Sequence, residues 1–536
     1  MDRSNEEPSE GSKEGPGEGS GSDFLQLRAS DAPPGGLSDW LAGELRRALA
    51  DGRLRVGARL PATRVLAAEL RVSRGAVTEA YRRLAEDGLV AGERRRGTRV
   101  VAVPLTASAP PARGPGPAAS PFRGPPGPDA FDALRAAPAR FDLTPGVPDL
   151  AAFPHAAWLR AERAVLSELP PHALGYGDPR GAPALRAAVS RWLARTRGVL
   201  ADPDGVLIVA GTTQAIALLA RVLPDEGVRG IAVEDPGSLG FRQHLRYWGF
   251  DTPPVPVDAS GLRVDALRRT GAPAVVLTPA HQFPTGAVLG GERRRELMRW
   301  ADGEGGLIVE DDYDAEHRYD RPPVPALKSV LAERVCYVGS ISKLLAPALR
   351  IGWILAPPRY RDALVEAKRY ADLGNAVLPQ LVLARLLDSG ELERGLRLVR
   401  RRHRACRDAM TRALAEHLPY AVVQGAAAGL HLTVTIGDAP GQGEADGARA
   451  DGGRPGDRAL ADAALARGVK VHPLSWHRQT PGPPGLVLGY AANGARAIGD
   501  GVAELGRAAR DFPGTRDPAR RPPNVFPVSE DLVEGQ

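Results

Sequence analysis

From Val206 onward the chain repeats one pattern, a short apolar run followed by a helical stretch. The runs are VLIVA, GIAVED, AVVLTP, GLIVEDD and VCYVGS, and helical segments over Thr213 to Val222, Leu239 to Trp248 and Gly291 to Ala301 separate the first four. Runs of about four to six residues rich in β-branched types, punctuated by helices, predict strands buried on both faces. The expected fold class is therefore α/β, with a mostly parallel sheet. In open sheets of this kind ligands bind beyond the carboxyl ends of the strands, so the residues that close each run are where chemistry is expected.

The remainder of the 536 residues divides by composition. Residues 1–30 are Gly, Ser, Glu and Pro with little apolar content and predict a disordered acidic tail; 102–140 predict a Pro-rich linker, 437–458 a low-complexity insertion and 511–536 a second disordered tail. Two blocks remain, 31–101 and 141–510. No charged amino terminus leads into an apolar run, and no apolar stretch approaches 18 residues, which argues against secretion and membrane spanning. The two cysteines, Cys336 and Cys406, supply neither a disulfide framework nor a zinc spacing, so no metal is expected and a cytoplasmic location is.

Between Ser38 and Val101 there are 14 arginines against 8 acids, a local net of +6 that equals the net of the whole chain. Amphipathic patterns run over Leu37 to Ala50, Thr63 to Leu70 and Ser73 to Glu86, the last two separated only by Arg71 and Val72. That is helix-turn-helix spacing, with Ser73 as the N-cap of the second, recognition helix. Beyond Gly88, two short alternating runs flank ERRRG, which predicts a basic wing. The run RLPATRVLAAELRVSRGAVTEAYRRLAEDGLV with RRRGTRV resembles the winged helix-turn-helix of GntR-family bacterial regulators. The resemblance implies that Arg64, Arg74 and Thr78 face double-stranded operator DNA, with Ser73 positioning the helix and Arg95, Arg96 and Gly97 at the wing tip. Arginine suits both tasks, reading guanine bidentately and displacing counterions at phosphate. Gly75 stands where relatives often carry a small hydroxyl residue, which implies one contact fewer.

In the large block, GLIVEDDYD closes a strand in acids, VCYVGSISKLLAPALRIGW puts a lysine just past a strand and an arginine seven residues later, and IVAGTTQ joins a strand to a helix start. A lysine amine, a carboxylate and phosphate donors at a helix start are the requirements of a pyridoxal 5'-phosphate site. Only five of the 70 basic residues are lysines, Lys13, Lys328, Lys343, Lys368 and Lys470, and Lys343 alone closes such a strand.

The order of these segments resembles fold type I aminotransferases, and more narrowly the MocR branch of GntR regulators, in which such a domain follows the winged helix. The resemblance implies that Lys343 forms the Schiff base, that Asp311 pairs with the pyridine nitrogen and that Tyr313 meets the phenolic oxygen. It further places Ser340, Ser342, Arg350 and the backbone of Gly211 and Thr212 at the phosphate, and has Tyr176 reach the phosphate of a partner subunit, hence a homodimer. Three positions depart from the pattern. Ser238 replaces the tyrosine that stacks on the ring, with Phe241 or His244 as substitutes; Phe283 replaces an asparagine; Val487 replaces the arginine that grips a substrate carboxylate. The function expected is a transcription regulator that senses pyridoxal phosphate or an amine bound to it, and the competing reading is a working aminotransferase.

Overall fold

The computed structural model describes residues 25–93, 97–102, 120–319, 324–436 and 456–511, and the chain divides into two compact units, Met1–Pro117 and Ala118–Gln536. In the first, helices Leu37–Ala50, Thr63–Leu70 and Arg74–Glu86 are joined by a three-stranded antiparallel sheet in the order β1-β3-β2, with β1 Arg59–Leu60, β2 Val90–Glu93 and β3 Gly97–Val100. Leu41, Leu45, Leu66, Val77 and Leu84 recur at helical spacing and form the core with Val100. Arg71 takes a left-handed conformation (φ 53°) to turn the chain between the second and third helices, and Ser73 Oγ accepts the amide of Ala76 at 3.2 Å, the expected cap.

The second unit is built on an eight-stranded sheet. Its strands are β5 Leu207–Val209, β6 Ile231–Asp235, β7 Pro254–Asp258, β8 Gly261–Leu262, β9 Ala274–Leu277, β10 Leu307–Asp312, β11 Val335–Ser340 and β12 Gly352–Leu355, in the order β5-β12-β11-β10-β9-β6-β7-β8. Only β12 and β8 pair antiparallel to their neighbours, so the sheet is mostly parallel. Alternate residues serve opposite layers. Val233, Val276, Val309 and Val338 pack into one apolar cluster, and Ala232, Val275 and Ile308 into another. A smaller layer contains the parallel pair β4 Phe141–Asp142 and β15 Val469–Lys470. It also contains an antiparallel sheet in the order β13-β14-β17-β16, from β13 Ala421–Gln424, β14 His431–Ile436, β16 His472–Pro473 and β17 Gly485–Gly489.

Three boundaries differ from the sequence expectation. Leu25 is buried against the winged core, because one apolar residue at the edge of a polar segment suffices to dock it. The expected linker overlaps the second unit: helix Ala130–Ala136 buries Leu134, and Phe122 lies against Trp476 with ring centroids 5.4 Å apart. Helix Asp457–Ala466 starts inside the expected insertion, where the Asp457 carboxylate accepts from the amide and hydroxyl of Ser475. Residues 1–24, 103–119, 437–455 and 512–536 of the expected tails, linker and insertion, together with Arg95 and Arg96, lie outside the described residues.

Gly43 sits in the middle of helix Leu37–Ala50, and a Cβ built on it meets nothing within 4 Å. Gly43→Ala is therefore expected to stabilise the winged unit by about 0.5–1 kcal/mol through helix propensity alone, read as stronger hydrogen-exchange protection of the Leu45 and Leu49 amides.

Candidate functional site

Strand register assembles the site. Asp311 of β10 lies opposite Val338 of β11, and β11 ends at Ser340, three residues before Lys343. Gly352 of β12 pairs with Ser340 on one side and with Val209 of β5 on the other. A Cβ on Gly352 would stand 2.7 Å from the Gly339 carbonyl oxygen and 3.0 Å from the Gly211 Cα, so glycine lets the strands close onto the turn that opens helix Thr212–Val222. Gly211 has φ +80°, and a Cβ there would meet Arg350 Nη1 at 3.2 Å. Arg350, itself left-handed at φ 50°, donates to the Ala210 carbonyl. Ser340 Oγ donates to Ser342 Oγ at 2.8 Å. Arg350, both serines and the amino end of a helix thus gather at one place, which is a cup for an anion.

Beside this cup lies a cavity of about 530 Å³, lined among others by Thr212, Asp311, Tyr313, Lys343, Ser238 and Phe283. Lys343 Nζ donates to the Gly146 carbonyl. Burial lowers the lysine pKa, while Asp314 and Asp311 oppose the shift. Asp311 is buried with Oδ1 unpartnered among the described residues. Burial, reinforced by Asp312 and Asp314, pushes its carboxyl well above the ordinary range. Tyr176 stands apart from this group, 98% exposed.

The three departures acquire physical reasons. Ser238 caps helix Leu239–Tyr247 by accepting the Phe241 amide at 3.3 Å, and Phe241 and His244 both line the cavity. Phe283 also lines it and meets the Tyr313 ring edge-on, centroids 6.3 Å apart. The polar partner of Tyr313 is instead His281, which sequence reasoning missed: its Nδ1 lies 3.0 Å from the Tyr313 hydroxyl and 2.9 Å from Asp314 Oδ2. His281 was legible only as part of HQFPTG, two residues before Phe283. Val487 is fully buried in β17.

In the winged unit, Arg64, Ser73, Arg74, Thr78 and Gly97 are all exposed. Arg74 Nε reaches Thr63 Oγ1 at 3.4 Å, and Thr78 Oγ1 donates to the Arg74 carbonyl at 2.9 Å. The first turn of the recognition helix thus presents a cation to the outside. Gly97 adopts φ 88° as it enters β3.

Comparison with known proteins agrees with both halves. Residues 37–100 match the gntR family of bacterial regulatory proteins, and residues 141–474 match aminotransferase class I and II. The probable rhizopine catabolism regulatory protein MocR of Rhizobium meliloti is 32% identical over 486 residues, 89% of this chain and 94% of that protein. The chain is a GntR-family transcription regulator of the MocR type. The pyridoxine biosynthesis transcriptional regulator PdxR of Corynebacterium glutamicum is 29% identical, covering 90% of this chain and 98% of its own. Among solved structures, the α-aminoadipate aminotransferase LysN of Thermus thermophilus superposes with a TM-score of 0.62 at 27% identity, covering 71% of this chain and 94% of that one.

The aminotransferase fold typically binds pyridoxal phosphate, and the residues of this MocR-type chain fit that group. Asp311 Oδ1 lacks a donor, which a protonated pyridine nitrogen would supply; the cup of Arg350, Ser340, Ser342 and the Thr212 helix start suits a phosphate; Lys343 supplies an amine.

Behind the cup lies Lys368, which the sequence places in a charged helical stretch. Lys368 is fully buried, and its Nζ donates to Gln214 Oε1 (2.9 Å), Asp372 Oδ2 (2.6 Å) and Asn375 Oδ1 (2.6 Å). Gln214 Oε1 also accepts the Ala210 amide at 2.7 Å, and Asn375 Nδ2 donates to the Arg350 carbonyl at 3.2 Å. One ammonium therefore holds both sides of the anion cup. A hydrogen bond to a charged group contributes about 1.5–3 kcal/mol, so Lys368→Met is expected to weaken pyridoxal phosphate binding about tenfold or more in an equilibrium titration. Lys368→Arg is expected to fail similarly, because a planar guanidinium does not fit a closed cage of acceptors.

Proposed function

We propose that this regulator binds operator DNA as a homodimer and uses its aminotransferase-like unit to sense pyridoxal phosphate, alone or with an amine beside it, rather than to turn over amino acids. The observation that carries the reading is a contrast around one cavity. Lys343, Asp311 and Tyr313 line it and Arg350 belongs to the cup beside it, whereas the position at which the resemblance expects a substrate-carboxylate arginine holds Val487, fully buried and outside the lining. Anchors without a clamp favour a sensor. A relative named for pyridoxine biosynthesis regulation supports the same reading.

Each residue then has a task. Arg350, the two serines and the start of helix Thr212–Val222 hold the phosphate; Asp311 holds the pyridine nitrogen in its charged form; Tyr313, oriented by His281 and Asp314, meets the phenolic oxygen. When bound, the cofactor supplies an electrophilic carbon for amines. Lys343, whose pKa burial lowers, keeps a neutral amine more readily than an exposed lysine does. Tyr176, exposed in its own chain, is free to serve the partner subunit.

The test is operator affinity of the full-length protein without cofactor and loaded with pyridoxal phosphate. The two affinities are expected to differ, and Lys343→Ala is expected to abolish both that difference and the borohydride-reducible absorbance of the loaded protein. Equal affinities would remove the sensor reading, and measurable half-transamination of an amino acid would favour the working aminotransferase. Arg74→Ala is expected to weaken operator binding by about 1–3 kcal/mol and relax sequence preference if it reads a base, measured by titration against operator and scrambled duplexes. Sedimentation is expected to give a dimer.

A further inference from the structure

The cavity extends beyond the cofactor anchors, and its far wall has a definite chemical character. In β17, Leu486 and Leu488 join the apolar core together with Leu432 and Val434 of the neighbouring β14. Val487 therefore faces the other way, paired with Thr433 on one side and His472 on the other. His431 and His472 line the cavity on this face, and Val487 does not reach it.

The imidazoles do not restore the missing cation. Burial pushes His431 down to about 3 and His472 down to about 4, and holds His477 well below the ordinary histidine range. All three line the cavity, and all three are neutral at pH 7. Besides Lys343, the cavity lining includes two cations, Arg135 and Lys470, each with a carboxylate of its own alongside. Lys470 Nζ donates to the Arg135 carbonyl at 2.9 Å and stands in parallel register with Asp142, a carboxylate that lines the same cavity. The Arg135 guanidinium pairs with Asp132 at an exposed position. A carboxylate placed against His431, His472 and His477 would be desolvated against neutral rings, while the cations of the same lining already face the carboxylates of Asp132 and Asp142, which makes its burial costly.

Rings supply the rest of this wall. Phe131 tilts against His472 with centroids 5.3 Å apart, Phe283 meets His477 edge-on at 5.0 Å, and His472 stacks on His477 at 5.6 Å and 22°. Such a surface favours offset or edge-to-face contact with another ring. We propose that the space beyond the cofactor anchors is an effector subsite for a primary amine with an uncharged aromatic body, and that it discriminates against the matching α-amino acid. The proposal rests on the cofactor reading, since the amine end lies toward Lys343.

The test uses full-length protein loaded with pyridoxal phosphate and freed of excess, titrated calorimetrically with phenethylamine and, separately, with phenylalanine, which differ only in the carboxylate. Phenethylamine is expected to bind at least about tenfold more tightly, and Phe283→Ala to reduce that affinity. Phenylalanine binding as tightly as phenethylamine overturns the inference, as does failure of both to bind a protein that carries cofactor on Lys343; in these outcomes the cofactor reading stands. A protein that takes up no cofactor on Lys343 overturns the cofactor reading, and the inference with it.

Discussion

Asp311 lies one residue before the end of a strand that is buried along its whole length, and its Oδ1 meets no donor among the described residues. A carboxylate in that position is tolerated only if it is protonated or if a cation arrives. Asp312 and Asp314 flank it on the same short segment and raise the cost of ionisation further. Their own partners are already committed: Asp312 to the buried Arg197 at 2.5 Å, and Asp314 to His281. Asp311 alone is left for something that enters the cavity. The parallel register of β10 with β11 then decides what else the entrant meets, because it places Lys343 just beyond the neighbouring strand end.

The same register explains why glycine gathers where it does. Gly339, Gly352 and Gly211 lie on three adjacent segments, and a side chain on Gly352 would strike the backbone of both others. Removing that bulk lets Arg350 lie across the turn before helix Thr212–Val222. The anion cup is thus a consequence of close strand approach, held from behind by Lys368 through Gln214 and Asn375.

The parts legible in the sequence were those fixed by local pattern. Apolar runs ending in EDDYD and GSISK gave the strand ends, and the short helix, Arg71-Val72 turn and Ser73 cap gave the recognition helix, because period and capping are properties of a few consecutive residues. The parts that were not legible depend on distant partners. His281 acquires a role only when β9 and β10 lie side by side and bring Tyr313 and Asp314 to it. Helix Ala130–Ala136 follows a proline-rich stretch and was hidden by it; its burial depends on residues more than 300 positions later, among them Trp476, against which Phe131 packs edge-on at 6.0 Å. Lys368 sits in a helix whose other charges are largely solvated, and nothing local distinguishes it from them.

Yet composition held a signal for Lys368. In a chain whose cations are almost all arginine, Lys328, Lys368 and Lys470 are each at most 7% exposed, and Lys343 lines the cavity. Lys328 Nζ donates to the carbonyls of Ala332 (2.6 Å) and Val335 (2.7 Å), as Lys470 does to that of Arg135. A compact ammonium can donate in three directions inside a small cage of oxygens, whereas a guanidinium needs a planar opening and stays charged throughout. Where a planar fork of acceptors is available, as Asp312 offers to the buried Arg197, arginine can be enclosed; where a small cage of oxygens must be filled, or the cation must give up its proton to react, lysine meets the geometry. Read this way, the rarity of lysine marks the positions where the interior of the second unit requires an amine, and of the two that line the cavity with Asp311, Lys343 and Lys470, Lys343 is the one that follows the strand paired with that of Asp311.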